Sequence, residues 1–406
     1  MSNTPNIRFK GFTDDWEQRK LGDILEERSE RASGDEELLS VTIGNGVIRQ
    51  VDSDKRNIAS EDKSNYKVVK KGDIPYNSMR MWQGAVGNSE YDGIVSPAYT
   101  VLTPTVDANG KFFMELFKKK SSLQIFQRWS QGLTSDTWNL KYPILSSIQF
   151  NIPSIEEQNE IAEYFSNLDN LITLHQRKCD ETKKLKKYML QKMFPKKGET
   201  KPEIRFAGFT DDWEQRKLGD ITELKSASRV HKKEWTTSGV PFYRSSDVMS
   251  AINGTKNEKA FISEELYEKL SDVSGKLEAG DVLVTGGGSV GNPYIVPNNE
   301  PLYTKDADLL WIKNQGKFYP YFLYEFFFSP TFRNYLASIS HVGTIAHYTI
   351  TQLSETPICL PNFEEQKKVG EYFQSLDHLI TLHQRKCDEM KEIKKFMLQN
   401  MFPKKG

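Results

Sequence analysis

Two long segments of this 406-residue chain each occur twice in nearly the same form. Residues 7–24 return as residues 204–221 and differ only at Lys10, which Ala207 replaces in the second copy. Residues 171–198 return as residues 379–406 with few changes, whereas the stretches between the repeats barely match. Repetition at long period indicates duplicated structural units. We therefore expect a pseudo-twofold frame that carries two unlike inserts.

Composition and charge narrow the class of protein. The formal net charge is zero, so no overall field attracts nucleic acid, and any basic surface has to be local. Cys179, Cys359 and Cys387 are too few for a disulfide framework and suit a reducing compartment. The N-terminus lacks a signal-peptide pattern, and no run approaches the roughly 18 apolar residues that a membrane span needs. These features predict a soluble, cytoplasmic protein.

A long helix pattern closes each half of the chain. Ser154 lies three residues before Glu157, and Asn362 lies three residues before Glu365, which is typical of a capping box at a helix N-terminus. Apolar residues then recur at spacings of four and three, which predicts a coiled coil. Proline ends both patterns, so each helix should have about 40 residues and a length of roughly 60 Å. We expect the two helices to pack antiparallel.

The inserts mix strand-like and helical segments, so the predicted fold class is mixed α/β (α+β), with two globular domains joined by two long helices. Gly-Asp-apolar at 72–74 and 280–282 favours one insert fold with two sequences. Strands are predicted at 38–43, 94–102, 144–152, 281–285, 294–296 and 308–312, and helices at 112–128 and 319–337. The predicted segments are a leader at 1–24, a first globular domain at 25–151, the central repeat with a long helix at 152–198, a linker with the second leader at 199–221, a second globular domain at 222–360 and a C-terminal long helix at 361–406.

The sequence contains no catalytic motif. Residues 286–291 (GGGSVG) satisfy G-x-G-x-x-G, but residues 292–297 are extended and bounded by proline. No helix N-terminus is therefore available for a dinucleotide pyrophosphate, and a tight loop at a sheet edge is the favoured interpretation. A P-loop motif is also missing. We expect a non-enzymatic chain that binds no cofactor of its own.

Two His-Cys pairs allow a metal-site alternative. His175 and Cys179 lie four residues apart on one helical face, and His383 and Cys387 repeat the pair. If antiparallel helices brought all four together, zinc could bind them tetrahedrally. The simpler interpretation makes them layers of a coiled-coil seam that fix its register, so no metal is predicted.

Polar and aromatic residues mingle in loops of both inserts. Arg suits guanine edges, and Asn or Gln suits adenine edges, although an ordinary surface role is the alternative for each residue. The candidate DNA-binding residues are Asn77, Ser78, Arg80, Trp82, Gln83, Thr134, Ser135 and Asn139 in the first insert, and Arg244, Ser245, Ser246, Ser289, Thr344, His347 and Tyr348 in the second.

Taken together, these elements resemble the specificity subunit of type I restriction-modification enzymes. The resemblance rests on the leader at 16–23 (WEQRKLGD), the element at 71–73 (KGD) and the helix entry at 152–158 (IPSIEEQ). The second half repeats them at 213–220, at 279–281, where Ala279 departs from the first copy, and at 360–366 (LPNFEEQ). The resemblance covers the whole chain, and the duplicated order of leader, insert and helix is its specific part.

The resemblance implies that each insert is a target recognition domain that reads one half of a split, asymmetric site in double-stranded DNA. It also implies two methyltransferase (modification) subunits that use S-adenosylmethionine and methylate adenine, and two restriction subunits that use ATP and Mg. Half-sites one helical turn apart are separated by roughly 34 Å, a distance that helices of the predicted length can set.

The long helices are the expected surface for the partner subunits, through helix-to-helix packing. The candidate interface residues are Glu157, Gln158, Leu174, Tyr188, Glu365, Gln366 and Leu382. Two other functions stay open at this point. The chain could be a coiled-coil scaffold whose inserts bind proteins, which binding to random duplex DNA would test, or a stand-alone adenine methyltransferase, which crosslinking of S-adenosylmethionine would test.

Overall fold

The computed structural model describes residues 4–33, 36–53, 62–305, 308–339 and 347–403. The chain divides into two compact units: Met1–Gln176 with Arg385–Gly406 form unit 1, and Arg177–Gln384 form unit 2. Each unit therefore contains one leader, one insert and a part of both long helices. Within the described ranges, no helix is long and apolar enough to cross a membrane.

Unit 1 contains the first insert and its leader. Its elements in chain order are β1 (Glu17–Lys20), β2 (Leu25–Glu27), β3 (Leu39–Thr42), β4 (Gly46–Arg49), β5 (Lys67–Val69), β6 (Ile74–Asn77), β7 (Gly93–Val95), β8 (Tyr99–Pro104), α1 (Gly110–Lys118), α2 (Lys120–Trp129), α3 (Tyr142–Leu145), β9 (Gln149–Ile152) and α4 (Ile155–Lys192), which continues into unit 2. The central sheet has the order β2-β8-β6, and the pairs β3-β4 and β5-β7 are separate small sheets. Leader strand β1 pairs antiparallel with β9, with Glu17 opposite Ile152. This pairing joins the two ends of the insert.

Unit 2 repeats this plan with a different insert. Its elements are β10 (Glu214–Lys217), α5 (Leu218–Ile221), β11 (Leu224–Ser226), β12 (Val240–Tyr243), α6 (Ser245–Asn253), β13 (Ala260–Ile262), α7 (Glu264–Ser274), β14 (Val282–Thr285), β15 (Pro293–Ile295), β16 (Tyr303–Thr304), β17 (Leu309–Ile312), α8 (Pro320–Phe326), α9 (Pro330–Ile339), α10 (Ile350–Ser354), β18 (Pro357–Leu360) and α11 (Phe363–Asn400), which continues into unit 1. Its sheets have the orders β11-β17-β14-β15 and β13-β12-β16. Leader strand β10 pairs with β18, as β1 pairs with β9.

Aromatic residues from the repeats build the main core of each unit. In unit 1, the ring of Phe402 lies 6.1 Å from both Trp16 and Phe165. In unit 2, Phe194 lies 6.2 Å from Trp213 and from Phe373 in the same way. The leader, the start of one long helix and the residues that follow the other helix thus share each core. This shared packing explains why these segments keep one sequence while the inserts differ.

Helices α4 and α11 each have 38 residues, close to the predicted length. Within unit 1, Lys394 of α11 pairs with Asp169 of α4, and within unit 2 Lys186 of α4 pairs with Asp377 of α11. In each pair, a residue near the C-terminus of one helix contacts a residue in the N-terminal half of the other. The helices therefore pack antiparallel within each unit, as predicted.

The predicted N-caps are present, but the capping boxes are only half formed. The Oγ of Ser154 accepts from the backbone N–H of Glu157 at 3.4 Å, and Asn362 Oδ1 accepts from Glu365 N–H at 2.9 Å. The two glutamates do not return to the cap. Glu157 instead accepts two hydrogen bonds from Arg8, both of 2.7 Å. Glu365 accepts the equivalent pair of hydrogen bonds from Arg205 of the second leader. Each helix entry therefore holds its leader through a buried ion pair.

The next residue at each helix entry holds the insert. Gln158 Oε1 accepts from the backbone N–H of Asn109 at 3.0 Å, just before α1 begins. Gln366 Oε1 accepts from the N–H of Tyr319 at the same distance, just before α8. The Glu-Gln pair at the start of each long helix thus orients the leader and one helix of the insert, which is α1 in unit 1 and α8 in unit 2.

Several predicted elements are shorter than the patterns indicated. The strand expected at 94–102 is two strands, because Pro97, which has no N–H to donate, lies in a turn between β7 and β8. The segment 144–152 begins with α3, where Pro143 occupies the first turn. The helix expected at 112–128 is interrupted at Lys119, whose backbone is extended. The helix expected at 319–337 is interrupted before Pro330, because proline disfavours helical geometry in the residue that precedes it.

The segment predicted to be a linker is a packed part of unit 2. The backbone N–H of Trp213 donates to Thr200 O at 2.9 Å, and Cys359 Sγ lies 3.5 Å from Glu199 O. Glu203 pairs with Lys192 and Lys196. Hydrogen bonds from these two lysines lower the pKa of Glu203 to about 2. The chain between the two repeats therefore runs along unit 2 in a defined path.

Candidate nucleic-acid interface

In each insert, two loops that are distant in sequence meet at the same place in the fold. The first loop follows the strand that begins after Gly-Asp, which is β6 in the first insert and β14 in the second. The backbone N–H of Leu140 donates to Ser78 O at 2.8 Å, and that of Tyr348 donates to Gly286 O at 2.8 Å. We call residues 77–83 with 131–139 the first loop surface, and residues 286–291 with His347 the second loop surface. Most candidate DNA-binding residues lie on or beside these surfaces.

Two tryptophans form the base of the first loop surface. The rings of Trp82 and Trp138 lie 5.1 Å apart in an edge-to-face contact, and Trp82 Nε1 donates to Met79 O at 3.1 Å. The exposed Arg80 donates to Gln83 Oε1 at 3.1 Å, so its guanidinium is oriented at the surface. Such an arrangement presents a cation and an amide side by side on an aromatic support.

The second half of this surface is the closed loop 131–139. Gln131 and Asn139 exchange two backbone hydrogen bonds, of 3.0 and 2.8 Å, and between them Thr134 and Ser135 are exposed. Asn139 Oδ1 is buried and has no hydrogen-bond partner among the described residues. A buried acceptor without a partner is costly, and a donor from a bound molecule would satisfy it.

The glycine-rich residues 286–291 form a tight turn between β14 and β15. Strand β15 pairs antiparallel with β14, so no helix follows the glycines and the dinucleotide interpretation is excluded. Thr285 Oγ1 accepts from the N–H of Asn292 at 2.9 Å and donates to Ser289 O. Arg333 Nη2 donates to Asn292 Oδ1 at 2.9 Å from outside the turn. The turn is therefore braced, and Ser289 is presented to solvent at its tip.

Ionic and hydroxyl groups surround the turn. Lys305 Nζ lies 2.7 Å from Asp308 Oδ2, and Ser245 Oγ donates to Asp308 O at 3.0 Å. A Cβ atom placed on Gly287 would lie 3.2 Å from Asp308 Oδ1 and 3.9 Å from His347 Nδ1. The exposed His347 therefore lies next to the turn. Lys305 and Asp308 were not among the predicted residues, because a lysine and an aspartate in a polar loop give no pattern in sequence.

Three candidate DNA-binding residues have structural roles instead. Ser78 is buried, and its Oγ donates to Ala98 O at 2.5 Å. The guanidinium of Arg244 is held by Asp247 and by Glu258 O, and it lies 5.5 Å from the ring of Trp235. These groups are already satisfied inside the protein.

The third structural residue is Tyr348, which is 1% exposed. Its hydroxyl is hydrogen bonded to Thr356 Oγ1, and burial raises the pKa of the phenol. Ser246, by contrast, is exposed and accepts a hydrogen bond of 3.1 Å from Asn257. Thr344 lies outside the described residues.

The prediction that Glu157, Gln158, Glu365 and Gln366 contact partner subunits is wrong. The four residues are between 0% and 2% exposed. Their side chains are occupied by the leaders and by the inserts, as described above, so no surface is left for another chain. Polar residues at a helix start look solvated in sequence, and only the return of the leader buries them.

The apolar candidates on the long helices do reach the surface. Tyr188 is 50% exposed and Leu382 is 39% exposed, whereas Leu174 is half-buried. Further exposed apolar residues occupy equivalent positions in the two copies. These are Leu171, Leu185, Leu379, Ile393 and Phe396. We use the name apolar helix face for these positions in each unit taken separately, namely Leu171, Leu174, Ile393 and Phe396 in unit 1 and Leu185, Tyr188, Leu379 and Leu382 in unit 2.

The two cysteines of the long helices lie against oxygen atoms of the facing helix. Cys179 is buried 3.7 Å from both Ile380 O and Gln384 Oε1, and Cys387 lies in the same way against Gln176 Oε1 at 3.6 Å. Across the part of the chain that the structure describes, no group of three or more His, Cys, Asp or Glu side chains is placed to hold a metal ion. Both cysteines are small buried residues between the two helices.

Comparison with known proteins identifies the family. The family model described as "Type I restriction modification DNA specificity domain" matches residues 13–184 and 210–392. The type I restriction enzyme MjaVIII specificity subunit of Methanocaldococcus jannaschii is 27% identical over 263 residues, which span 62% of this chain and 60% of that protein. The putative MjaX specificity subunit of the same organism is 24% identical over 94% of this chain and 91% of its own length.

Solved structures share the fold. The crystal structure of a type I restriction-modification S subunit from M. genitalium matches 99% of this chain and 100% of its own, with a TM-score of 0.61 and 15% identity. A chain from a study of assembly and conformational transition of the type I system matches 95% of this chain and 97% of its own, with a TM-score of 0.50 and 16% identity. Because the family model matches most of the chain and does so once in each half, this chain belongs to the type I restriction-modification DNA specificity family.

Proposed function

We propose that this chain is the DNA-reading specificity subunit of a type I restriction-modification complex. The first loop surface reads one half of a bipartite, asymmetric DNA site, and the second loop surface reads the other half. The observation that carries this proposal is that equivalent strand ends in the two units present loops of different chemistry. Arg80 and Gln83 on a tryptophan base form one reader, and Ser289 and His347 around a glycine turn form the other.

The chain supplies recognition, and its partners supply the chemistry. Two modification subunits use S-adenosylmethionine to methylate adenine, and two restriction subunits use ATP and Mg to act on unmodified DNA. The specificity chain itself binds no cofactor and has no catalytic residue. The complex is cytoplasmic, which suits the three free cysteines.

The modification subunits bind the apolar helix face. Side chains such as Tyr188 and Leu382 are apolar and exposed to solvent, and exposed apolar surface is typical of interaction sites. Because each unit contains such residues from both long helices, each unit offers a comparable apolar surface to one modification subunit.

Methylation mapping tests the proposal directly. Adenine methylation is mapped at base resolution in DNA from cells that express this chain with its modification subunit, and in cells that lack this chain. We expect a split motif that appears only when the chain is present. Replacement of residues 25–151 by the equivalent insert of another family member should change one half of the motif and leave the other half intact.

Two results would count against the proposal. If both halves of the motif change after replacement of one insert, the inserts are not independent readers. If no motif appears although the two proteins copurify, the chain does not direct methylation, and a protein-binding scaffold becomes the better interpretation.

A further inference from the structure

One apolar side chain of the first loop surface is fully exposed to solvent. Leu133, at the tip of loop 131–139, is 101% exposed. Its neighbours along the loop, Gly132 and Thr134, are also exposed. A leucine in this position contributes nothing to the core of unit 1, and hydration of its side chain is unfavourable until another molecule covers it.

The loop presents Leu133 in a fixed position. Gly132 has a φ of +147°, and a Cβ atom there would lie 2.6 Å from Thr137 O, so the two sides of the loop are in close contact. Thr137 N–H donates to Thr134 O at 3.0 Å, and Thr134 N–H donates to Thr137 Oγ1 at 3.1 Å. A tip that is ordered before binding loses little conformational entropy when it binds.

The surroundings of the tip point to DNA as the molecule that covers it. Arg128 and Lys141 flank the loop in sequence and Arg80 lies on the adjoining loop, all three exposed, so these three cations outnumber the one acid of the loop, Asp136, which is also exposed. Cations near an exposed leucine suit a ligand with an anionic exterior and an apolar interior. Duplex DNA has this character, because its phosphates surround stacked bases.

We propose that Leu133 inserts between two base pairs in or beside the half-site that the first insert reads. The inference rests on the proposed function, since it assigns a role within the same DNA site. Leucine is one of the side chains that proteins use as wedges, and such a wedge unstacks one step and bends the duplex. Pyrimidine-purine steps open most easily. The first half-site or its flank therefore contains a TA or CA/TG step opposite Leu133, and this step adds specificity without a hydrogen bond to a base.

The test measures base stacking along the mapped site. Fluorescent purine analogues, 2-aminopurine for adenine and 6-methylisoxanthopterin for guanine, are placed in turn at each base pair of both half-sites and their flanks, except at the adenines that become methylated. Because every base pair contains one purine, every step is reported. The full chain, in complex with its modification subunit, is titrated onto each duplex as wild type, Leu133→Ala and Val106→Ala. Val106 is a matched control, since it is 91% exposed in the same unit and lies outside the loop surface.

We expect a several-fold rise in fluorescence at one step near the first half-site with the wild type and with Val106→Ala. Leu133→Ala should lose this rise and should bind the specific duplex about tenfold more weakly, which corresponds to about 1.4 kcal/mol. Signals at the second half-site should not change. The inference is overturned if no step is unstacked, or if the unstacking persists in Leu133→Ala. A weaker binding of Leu133→Ala that disappears when one thymine is replaced by uracil would show a contact with a thymine methyl group instead. Each of these results leaves the methylation motif, and hence the proposed function, as a separate outcome.

Discussion

The ammonium of Lys394 donates to the carboxylate of Glu115 at 2.9 Å, which ties the first insert to the C-terminal helix inside unit 1. The same ammonium lies 2.7 Å from Asp169. Unit 2 repeats the arrangement, with Lys186 2.8 Å from Glu325 and 2.6 Å from Asp377. Each insert is therefore held to the helices by one buried acidic side chain and a lysine that two acids share.

Removal of the lysine should destabilise unit 1. The Glu115 side chain is only 3% exposed, so Lys394→Met leaves a buried carboxylate without its cation and should lower the free energy of unfolding by about 3 kcal/mol. Urea denaturation measures the change. Lys395→Met is the control, because Lys395 pairs with Glu392 at the surface, with side chains 66% and 75% exposed, and should change stability by less than about 1 kcal/mol. Equal effects of the two variants would contradict the assignment.

The stability of unit 2 should depend on pH through Glu325. Burial raises the pKa of Glu325 from its ordinary value of 4.5 to about 8. An acid whose pKa is higher in the folded state binds protons on folding, so its contribution to stability is fully present below about pH 4.5 and is lost as the pH rises through 8. Glu325→Gln cannot ionise, and Lys186 still has Asp377.

The advantage of the Glu325→Gln variant over the wild type in urea midpoint should therefore grow between pH 5 and pH 8. Glu268→Gln, at an exposed pair with Lys276, should show no such trend. If the Glu325→Gln and wild-type profiles run parallel across this range, Glu325 does not titrate there.

One glycine of α11 is required by close packing. A Cβ atom on Gly370 would lie 2.5 Å from the Tyr319 ring and 3.0 Å from the backbone nitrogen of Phe322. Gly370→Ala should therefore destabilise unit 2 by about 1–3 kcal/mol through overpacking, although alanine is by about 1 kcal/mol the better helix former. Thermal unfolding measures this effect. A higher melting temperature of Gly370→Ala than of the wild type would instead show that Tyr319 moves aside without cost.

The apolar helix face should be required for assembly. Leu174→Glu with Leu382→Glu places a charge in each copy of the face and should abolish copurification with the modification subunit. Thr173→Glu with Thr381→Glu is the matched control, since these exposed threonines lie next to the two leucines in sequence but point elsewhere on the helix. Copurification that survives both leucine changes would place the interface elsewhere.

A substitution in one loop surface should weaken base discrimination at one half-site only. Arg80→Ala removes a cation suited to a guanine edge and should weaken discrimination at one base of the first half-site by about 10-fold to 100-fold. Ser289→Ala should act on the second half-site alone. Competition binding with single-base variants of the mapped motif measures both effects. A change that spreads over both half-sites in either variant would contradict separate reading.

Sequence patterns predicted the repeats and the long helices well, but they predicted the candidate DNA-binding surfaces only in part. The long helices follow from strong local signals, namely the caps at Ser154 and Asn362 and the heptad spacing. The pairing of Trp82 with Trp138 could not be read from sequence, because it depends on how the insert folds back on itself. The burial of Glu157 is hidden for a similar reason, since it depends on an arginine far away in the leader.

Exposure is the property that sequence predicted least well. Leu133 lies among polar residues with no periodicity, so the sequence cannot distinguish a core residue from one at a loop tip. Ser78 and Arg244 have the chemistry of DNA-reading side chains, yet their hydrogen bonds are used within the protein. Only the geometry of the loops separates available groups from occupied ones.

The anchoring of the inserts has a consequence for how such a chain can evolve. The polar attachments of each insert to the frame are a backbone N–H, which any residue but proline supplies, and one buried acid, Glu115 or Glu325. Ring contacts such as that of Phe112 with Phe402 in unit 1 and that of Phe322 with Phe194 in unit 2 complete the attachment. The exposed loop residues, such as Leu133 and Ser289, lie outside this set of attachments. Neutral drift can therefore rewrite the loops in one half of the molecule while the other half, and the scaffold common to both, keep their stability.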